Sequence, residues 1–175
     1  VVQVTLHAKG GGFINFHPKV WIIKETNPDT GTQQIKLIVL SRNLTSSNDL
    51  DVVCELSGKI STKQATPKAQ SKHKPLVDFL TWLIGKTDNC TIRKNMRSLC
   101  IDINCIEQFD LTDSPFEDYE FFPMGIPGYD GHAECLEQSM LKHATEMLVI
   151  SPFVDTHILN QMVSCSHGAK KTLIT

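Results

Sequence analysis

Apolar positions along the chain fall into short runs separated by clusters of turn-forming residues. VVQVTL opens with a β-branched run and passes into the glycine-rich HAKGGG. FINFHPKVWIIKE and QQIKLIVLS are two further β-branched runs, and TNPDTGT between them is dense in turn formers, so the pair predicts a β-hairpin with a long tip. IVLS is apolar throughout, as expected of a strand covered on both faces. LDVVCELSG predicts a third strand. STKQATPKAQSKHK has no apolar period and predicts a flexible basic loop. KPLVDFLTWLIGK then places Leu76, Phe79, Leu80, Leu83 and Ile84 at helical spacing, with Pro75 suited to the first turn and Gly85 to the end.

SLCIDINCI predicts another strand, and LTDSPFEDYEFFPMGIPGYDG, acidic, aromatic and rich in proline and glycine, a long ordered loop. HAECLEQSMLKHA predicts a helix, EMLVIS a buried strand, SPFVDTHILNQMV a helix entered through Ser151 and Pro152, and KTLIT a last strand. Strand, helix, strand in sequence predicts a right-handed parallel crossover. The fold class expected from these elements is α/β, a mixed β-sheet flanked by helices.

The length of 175 residues suffices for one domain with a hydrophobic core. The formal net charge of −2 gives no global basic signature, so any nucleic-acid surface has to be a local patch. No apolar run approaches the roughly 18 residues that span a bilayer, and the N-terminus lacks the layout of a signal peptide, which predicts a cytoplasmic protein without membrane insertion. With no initiator Met, the chain is expected to be a fragment or processed product. Its cysteines, Cys54, Cys90, Cys100, Cys105, Cys135 and Cys165, include no C-x-x-C pair; the closest, Cys100 and Cys105, does not fit zinc-ligand spacing, and the expectation is buried, reduced thiols. Trp21 and Trp82 are expected in the core.

The candidate chemistry gathers on the hairpin. His17 and Lys19 are two apart on a strand and so project from one face. An imidazole can attack phosphorus, and a neighbouring ammonium can hold a phosphate oxygen. Ser41 and Asn43 end the partner strand, also two apart, and both can donate to phosphate oxygens without adding charge. Hairpin pairing is expected to bring the four together at one sheet edge. Arg42 would point the other way. Asn48, Asp49 and Asp51 either orient the site or simply form a turn. His7 and Lys9 make a second H-x-K with no S-x-N at hairpin distance, a decoy. Lys59, Lys63, Lys68, Lys72 and Lys74 could track a phosphate backbone or form a solvated surface. His132, Glu134 and Cys135 lack the spacing of a metal site, so no metal and no cofactor is expected.

FHPKVWII, a turn, and then IVLSRNLTSSNDLDV resembles the phospholipase D superfamily, whose motif reads H-x-K-x(4)-D-x(6)-G-S-x-N. His17 and Lys19 match its first letters, and Ser41 and Asn43 its S-x-N. The aspartate position is Lys24, the glycine position is Leu40, and the hairpin tip is longer than the motif. HPK followed by S-x-NLT is similar to the nuclease and restriction-enzyme branch. EMLVISPFVDTHILNQM and KTLIT resemble the start of the superfamily's second repeat.

On that resemblance, residues 1–58 are the end of a first repeat, 59–74 a basic loop or linker, 75–145 connecting elements and 146–175 the start of a second repeat. A second H-x-K would follow Thr175, or a homodimer would supply a second His17. The implied activity is metal-independent phosphodiester cleavage through a phosphohistidine, acting on nucleic acid, with the isolated chain having little activity alone. The alternatives are a phospholipid hydrolase or phosphatidyl transferase, and a non-catalytic phosphate-binding module.

Overall fold

In the computed structural model, the described residues are 18–41, 52–111, 116–129, 144–151, 153–165 and 168–174. The chain divides into two compact units, Val1–Phe121 and Phe122–Thr175. The expected first strand VVQVTL, the decoy pair His7 and Lys9, and residues 132–143 of the helix expected over 132–144 lie outside the described residues, as do Arg42, Asn48, Asp49 and Asp51.

In the first unit, β1 (Val20–Thr26), β2 (Gln33–Leu40), β3 (Val53–Ile60) and β4 (Ile106–Asp110) form an antiparallel sheet in chain order. The β1–β2 hairpin is the expected one. Its tip is set by Asn27, whose side-chain oxygen accepts from the backbone N–H of Asp29 at 2.9 Å and of Thr30 at 3.0 Å. Gly31 then takes φ 67°, a left-handed conformation that favours glycine. Register pairs Ile22 with Leu37 and Lys24 with Ile35.

Alternation gives the sheet one buried face, with Ile35, Leu37, Leu56, Ile106 and Phe109 all nearly inaccessible. On the outer face Lys36 lies between Glu25 at 3.4 Å and Glu55 at 3.8 Å. Gly58 on β3 faces Phe109 across the ladder, and a Cβ there would stand 2.7 Å from Ile106 Cγ2 and 2.9 Å from the Phe109 ring. Only glycine lets β3 and β4 bring these side chains so close.

Two helices complete the unit: α1 (Pro67–Ile84) and α2 (Cys90–Ile103). Both correct the sequence reading. The stretch expected as a basic loop is helical from Pro67 onward, because Thr66 caps it, accepting from Ala69 N–H at 3.3 Å, and Pro67 fills the first turn. Pro75 therefore sits inside the helix rather than at its start. Ala69, His73 and Leu76 continue the buried stripe backwards; a small residue and a histidine concealed its period.

SLCIDI, expected as a strand, is the C-terminal half of α2, and only the following IEQFD is extended. The apparent alternation through Ile101 misleads, since Ile101 is 62% exposed while Met96 and Ile103, seven apart, are buried. Asn89 caps α2, accepting from Ile92 N–H at 3.0 Å. The acidic segment over residues 116–121 has no regular secondary structure, as expected of that loop.

In the second unit, β5 (Glu146–Ile150) and β6 (Lys170–Ile174) pair in parallel, with α3 (Thr156–Cys165) between them in sequence. The parallel pairing of two strands with a helix between them in sequence matches expectation. The buried character of EMLVIS does not: Leu148 is 62% and Ile150 72% exposed. The helix begins at Thr156, not at Ser151, whose hydroxyl instead donates to the Phe153 carbonyl at 2.7 Å.

The molecule is thus α/β, but the described strands form one antiparallel and one parallel sheet rather than a single mixed sheet. Two further expectations are corrected. Cys54 and Cys90 are exposed and Cys100 and Cys105 half-buried: Cys54 stands at the open end of β3 beyond Leu56, and Cys100 shares the helix face of Met96 and Ile103 without being fully covered. Trp21 is 43% exposed on the outer sheet face, and Trp82 is half-buried with the Lys86 ammonium 5.4 Å from its ring centre. Among the described residues, no helix is long and apolar enough to cross a membrane.

Candidate functional site

Of the four residues on which the phosphate chemistry rests, the structure describes two, Lys19 and Ser41; His17 and Asn43 lie outside the described residues. Lys19 immediately precedes β1, and its carbonyl accepts from Leu40 N–H at 2.9 Å. That bond makes Lys19 the cross-strand partner of Leu40, one residue before Ser41. The lysine of H-x-K and the serine of S-x-N therefore stand at the same end of the hairpin.

Ser41 is not a regular strand residue. Its N–H donates to the Val52 carbonyl at 3.0 Å, as a ladder residue would, but Val52 N–H donates to Ser41 Oγ at 3.0 Å. The hydroxyl takes the place in the ladder that the Ser41 carbonyl would hold, and the chain bends there. Strict alternation thus ends at Leu40; Asn43, expected to share a face with Ser41, lies outside the described residues. A concave surface lies at the other end of this hairpin, around its tip, lined by Glu25, Asn27, Thr30 and Gln34.

Lys24, at the position where the resemblance places an aspartate, is five residues beyond Lys19 and so leaves the strand from the opposite face. Its register partner is the fully buried Ile35, and its ammonium reaches Asp102 near the end of α2 at 2.7 Å. This position ties the edge strand to a helix and does not face toward Lys19. Asp102→Asn is expected to cost about 1 kcal/mol, a charge-assisted bond discounted for partial exposure, measured by chemical denaturation, with activity per folded molecule unchanged. A loss of activity at full stability would contradict that role.

Among the lysines expected at a phosphate backbone, Lys63 lies in the turn before α1, and Lys68, Lys72 and Lys74 lie on the helix. Lys74 pairs with Asp78 at 2.5 Å, one turn on. Lys72 forms an ion pair with Asp118 and lies 4.2 Å from the Tyr119 ring centre. The structure does not bring this row together with Lys19 and Ser41. Among the described residues, no three His, Cys, Asp or Glu side chains are gathered as a metal would require.

One polar cluster escaped the sequence reading. His73, 2% exposed, places Nε2 2.8 Å from the Tyr119 hydroxyl and its ring 5.1 Å edge-on from Phe109. Burial pushes the His73 pKa down, with the Lys72 charge acting the same way and Glu107 opposing it. Burial also pushes the Tyr119 phenol up to about 12. Glu107 binds the cap of α1, accepting from the Thr66 hydroxyl at 2.6 Å and its N–H at 2.9 Å, and these bonds hold its carboxyl below the usual range. The signal was present in the sequence, since His73 lies four residues after Ala69 and three before Leu76 on one helix face.

No protein-family model, curated protein or solved structure matches the chain.

Proposed function

We propose that the chain carries half of a phosphodiesterase site of the phospholipase D type and that its substrate is nucleic acid. His17 attacks phosphorus, forming a P–N bond as the bond to the leaving oxygen breaks. A second histidine protonates that oxygen and then activates water, which hydrolyses the phosphohistidine. It comes from a second repeat or from another copy of the chain. Lys19 holds a phosphate oxygen, and Ser41 and Asn43 donate to the others. The cytoplasmic, nuclease-like assignment belongs to the same proposal.

The observation that supports the reading is the hydrogen bond from Leu40 N–H to the Lys19 carbonyl, which pairs the lysine of H-x-K with the residue just before the serine of S-x-N although a whole hairpin separates them in sequence. Lys24, at the aspartate position, is engaged with Asp102 and brings no carboxylate to the site, which is the feature that favours the alternative of a non-catalytic phosphate-binding module.

The full-length protein is to be incubated with single- and double-stranded DNA, RNA and phospholipid vesicles, with and without EDTA, alongside His17→Ala. The expected outcome is cleavage of nucleic acid, insensitive to EDTA and abolished in His17→Ala. Cleavage of lipid alone would move the assignment to a phospholipid hydrolase. EDTA-sensitive cleavage that survives His17→Ala would remove the mechanism.

A further inference from the structure

Residues 116–121 run along α1 without secondary structure of their own, and three of their side chains meet three side chains of the helix. Asp118 pairs with Lys72, Tyr119 bonds to His73, and the Phe121 ring lies 6.3 Å from that of Phe79. The central contact differs in kind from the other two. His73 is almost fully buried, its Nε2 is engaged by Tyr119, and its Nδ1 is buried without a hydrogen-bond partner.

We propose that residues 116–121 form an acid-released strap on α1, latched by the neutral His73 side chain against Tyr119. The proposal is independent of the phosphodiesterase reading.

A neutral imidazole has one N–H and one bare nitrogen, so a single partner leaves it one unmet valence at most. An imidazolium has two N–H donors and a charge. With Nε2 donating to the Tyr119 oxygen, Nδ1–H of the cation would be a charged donor buried with no acceptor, the costliest arrangement for a polar group in a core. The groups facing His73 are Lys72 from its own helix, Glu107 from β4, and Asp118 and Tyr119 from the strap. Lys72 repels the cation. Glu107 attracts it, but both its oxygens already accept from Thr66. Asp118 is committed to Lys72, and Tyr119 stays protonated far above neutrality. Opening the strap gives the imidazolium water, and it also frees Lys72 from Asp118.

The sign follows from linkage. The closed strap holds His73 below its ordinary value of 6.5, so below that pH the open form binds a proton that the closed form rejects. Opening then grows by about tenfold for each pH unit across the window between 6.5 and the lowered value of the closed form. The Asp118 carboxyl is held below its usual range by Lys72, so the ion pair that accompanies the latch does not lose its charge at the mildly acidic pH where opening begins.

The test is amide hydrogen exchange of residues 117–121 from pH 7.5 to pH 5.0, corrected for the intrinsic pH dependence of exchange and compared with the amides of β2. The wild-type strap is expected to lose protection on acidification with the slope above while β2 keeps its own. His73→Phe, which keeps an apolar ring and removes the titration, is expected to show a flat profile. A second measurement, the ring-proton NMR shift of His73 in the wild-type protein, is expected to titrate together with strap exchange, so the outcome does not depend on the variant folding. A pH-independent wild-type strap, an unchanged acid response in His73→Phe, or a His73 resonance that titrates at 6.5 or above would each overturn the latch.

Discussion

Phe109→Ala is expected to be the most damaging single truncation in the first unit, costing about 3–5 kcal/mol, the range for deleting a buried aromatic ring. The ring is 1% exposed and touches three different layers of the structure. Across the ladder it covers Gly58, whose missing side chain makes the room it occupies. On its other sides it stands edge-on to His73 of α1, and to Tyr119 of the strap at 6.1 Å. No small relaxation can fill that space, because the nearest replacement atoms belong to a β-ladder held in register. For a unit of about 100 residues each kcal/mol moves the melting temperature by about 4–8 °C, so a fall of at least about 12 °C is expected by calorimetry or circular dichroism. A loss below about 1 kcal/mol, the scale of a surface change, would mean that the ring is not the joint between sheet, helix and strap.

Lys19→Ala carries the largest expected functional effect. In the proposed chemistry its ammonium balances charge gathering on the transferring phosphoryl group, and removing one preorganised donor of this kind lowers kcat by about 10²–10³-fold. Lys19→Arg is expected to recover only part of this, since a planar guanidinium does not occupy the place of a compact ammonium. The hairpin bond at this residue is made by its backbone carbonyl and is kept in both variants, and the melting temperature of each separates a folding effect from a catalytic one. Steady-state kinetics on the nucleic-acid substrate, with the melting curve as control, is the measurement. Full kcat in Lys19→Ala, from protein that melts as the wild type does, would exclude the lysine from the site.

How legible this was in the sequence varies by element, and the reasons are physical. The β1–β2 hairpin was readable because its signals are local: β-branched runs on either side of Asn-Pro-Asp-Thr-Gly, with an asparagine and a glycine where the turn needs them. The parallel pairing of β5 and β6 was readable for the same reason, since each element is short and separately patterned. The first half of α1 was not, because its buried stripe there consists of Ala69 and His73, which hydrophobicity does not mark. The end of α2 was misread because Ile101, Ile103 and Cys105 alternate by accident across a helix terminus, and only tertiary packing tells which of them is covered. At the candidate site, the proximity of Lys19 and Ser41 followed from the hairpin, but the bend at Ser41 did not. It depends on a hydrogen bond to Val52, a residue of the next strand run that no local pattern links to the serine. The His73 cluster was hidden for a related reason: its partners, Phe109 and Tyr119, are distant in sequence.

The bend at Ser41 changes how a serine scan of this hairpin has to be interpreted. Its hydroxyl stands in for a backbone carbonyl opposite Val52, so Ser41→Ala deletes a structural acceptor along with any ligand to phosphate. The freed Val52 amide would find its partner again if the Ser41 carbonyl swung into the ladder, straightening the chain at Ser41. An inactive alanine variant would then report an altered backbone as readily as a missing hydroxyl. Threonine separates the two: it keeps the oxygen at the same place on the side chain and favours extended backbone. The informative comparison at this position is therefore Ser41→Thr against Ser41→Ala, not either one against the wild type.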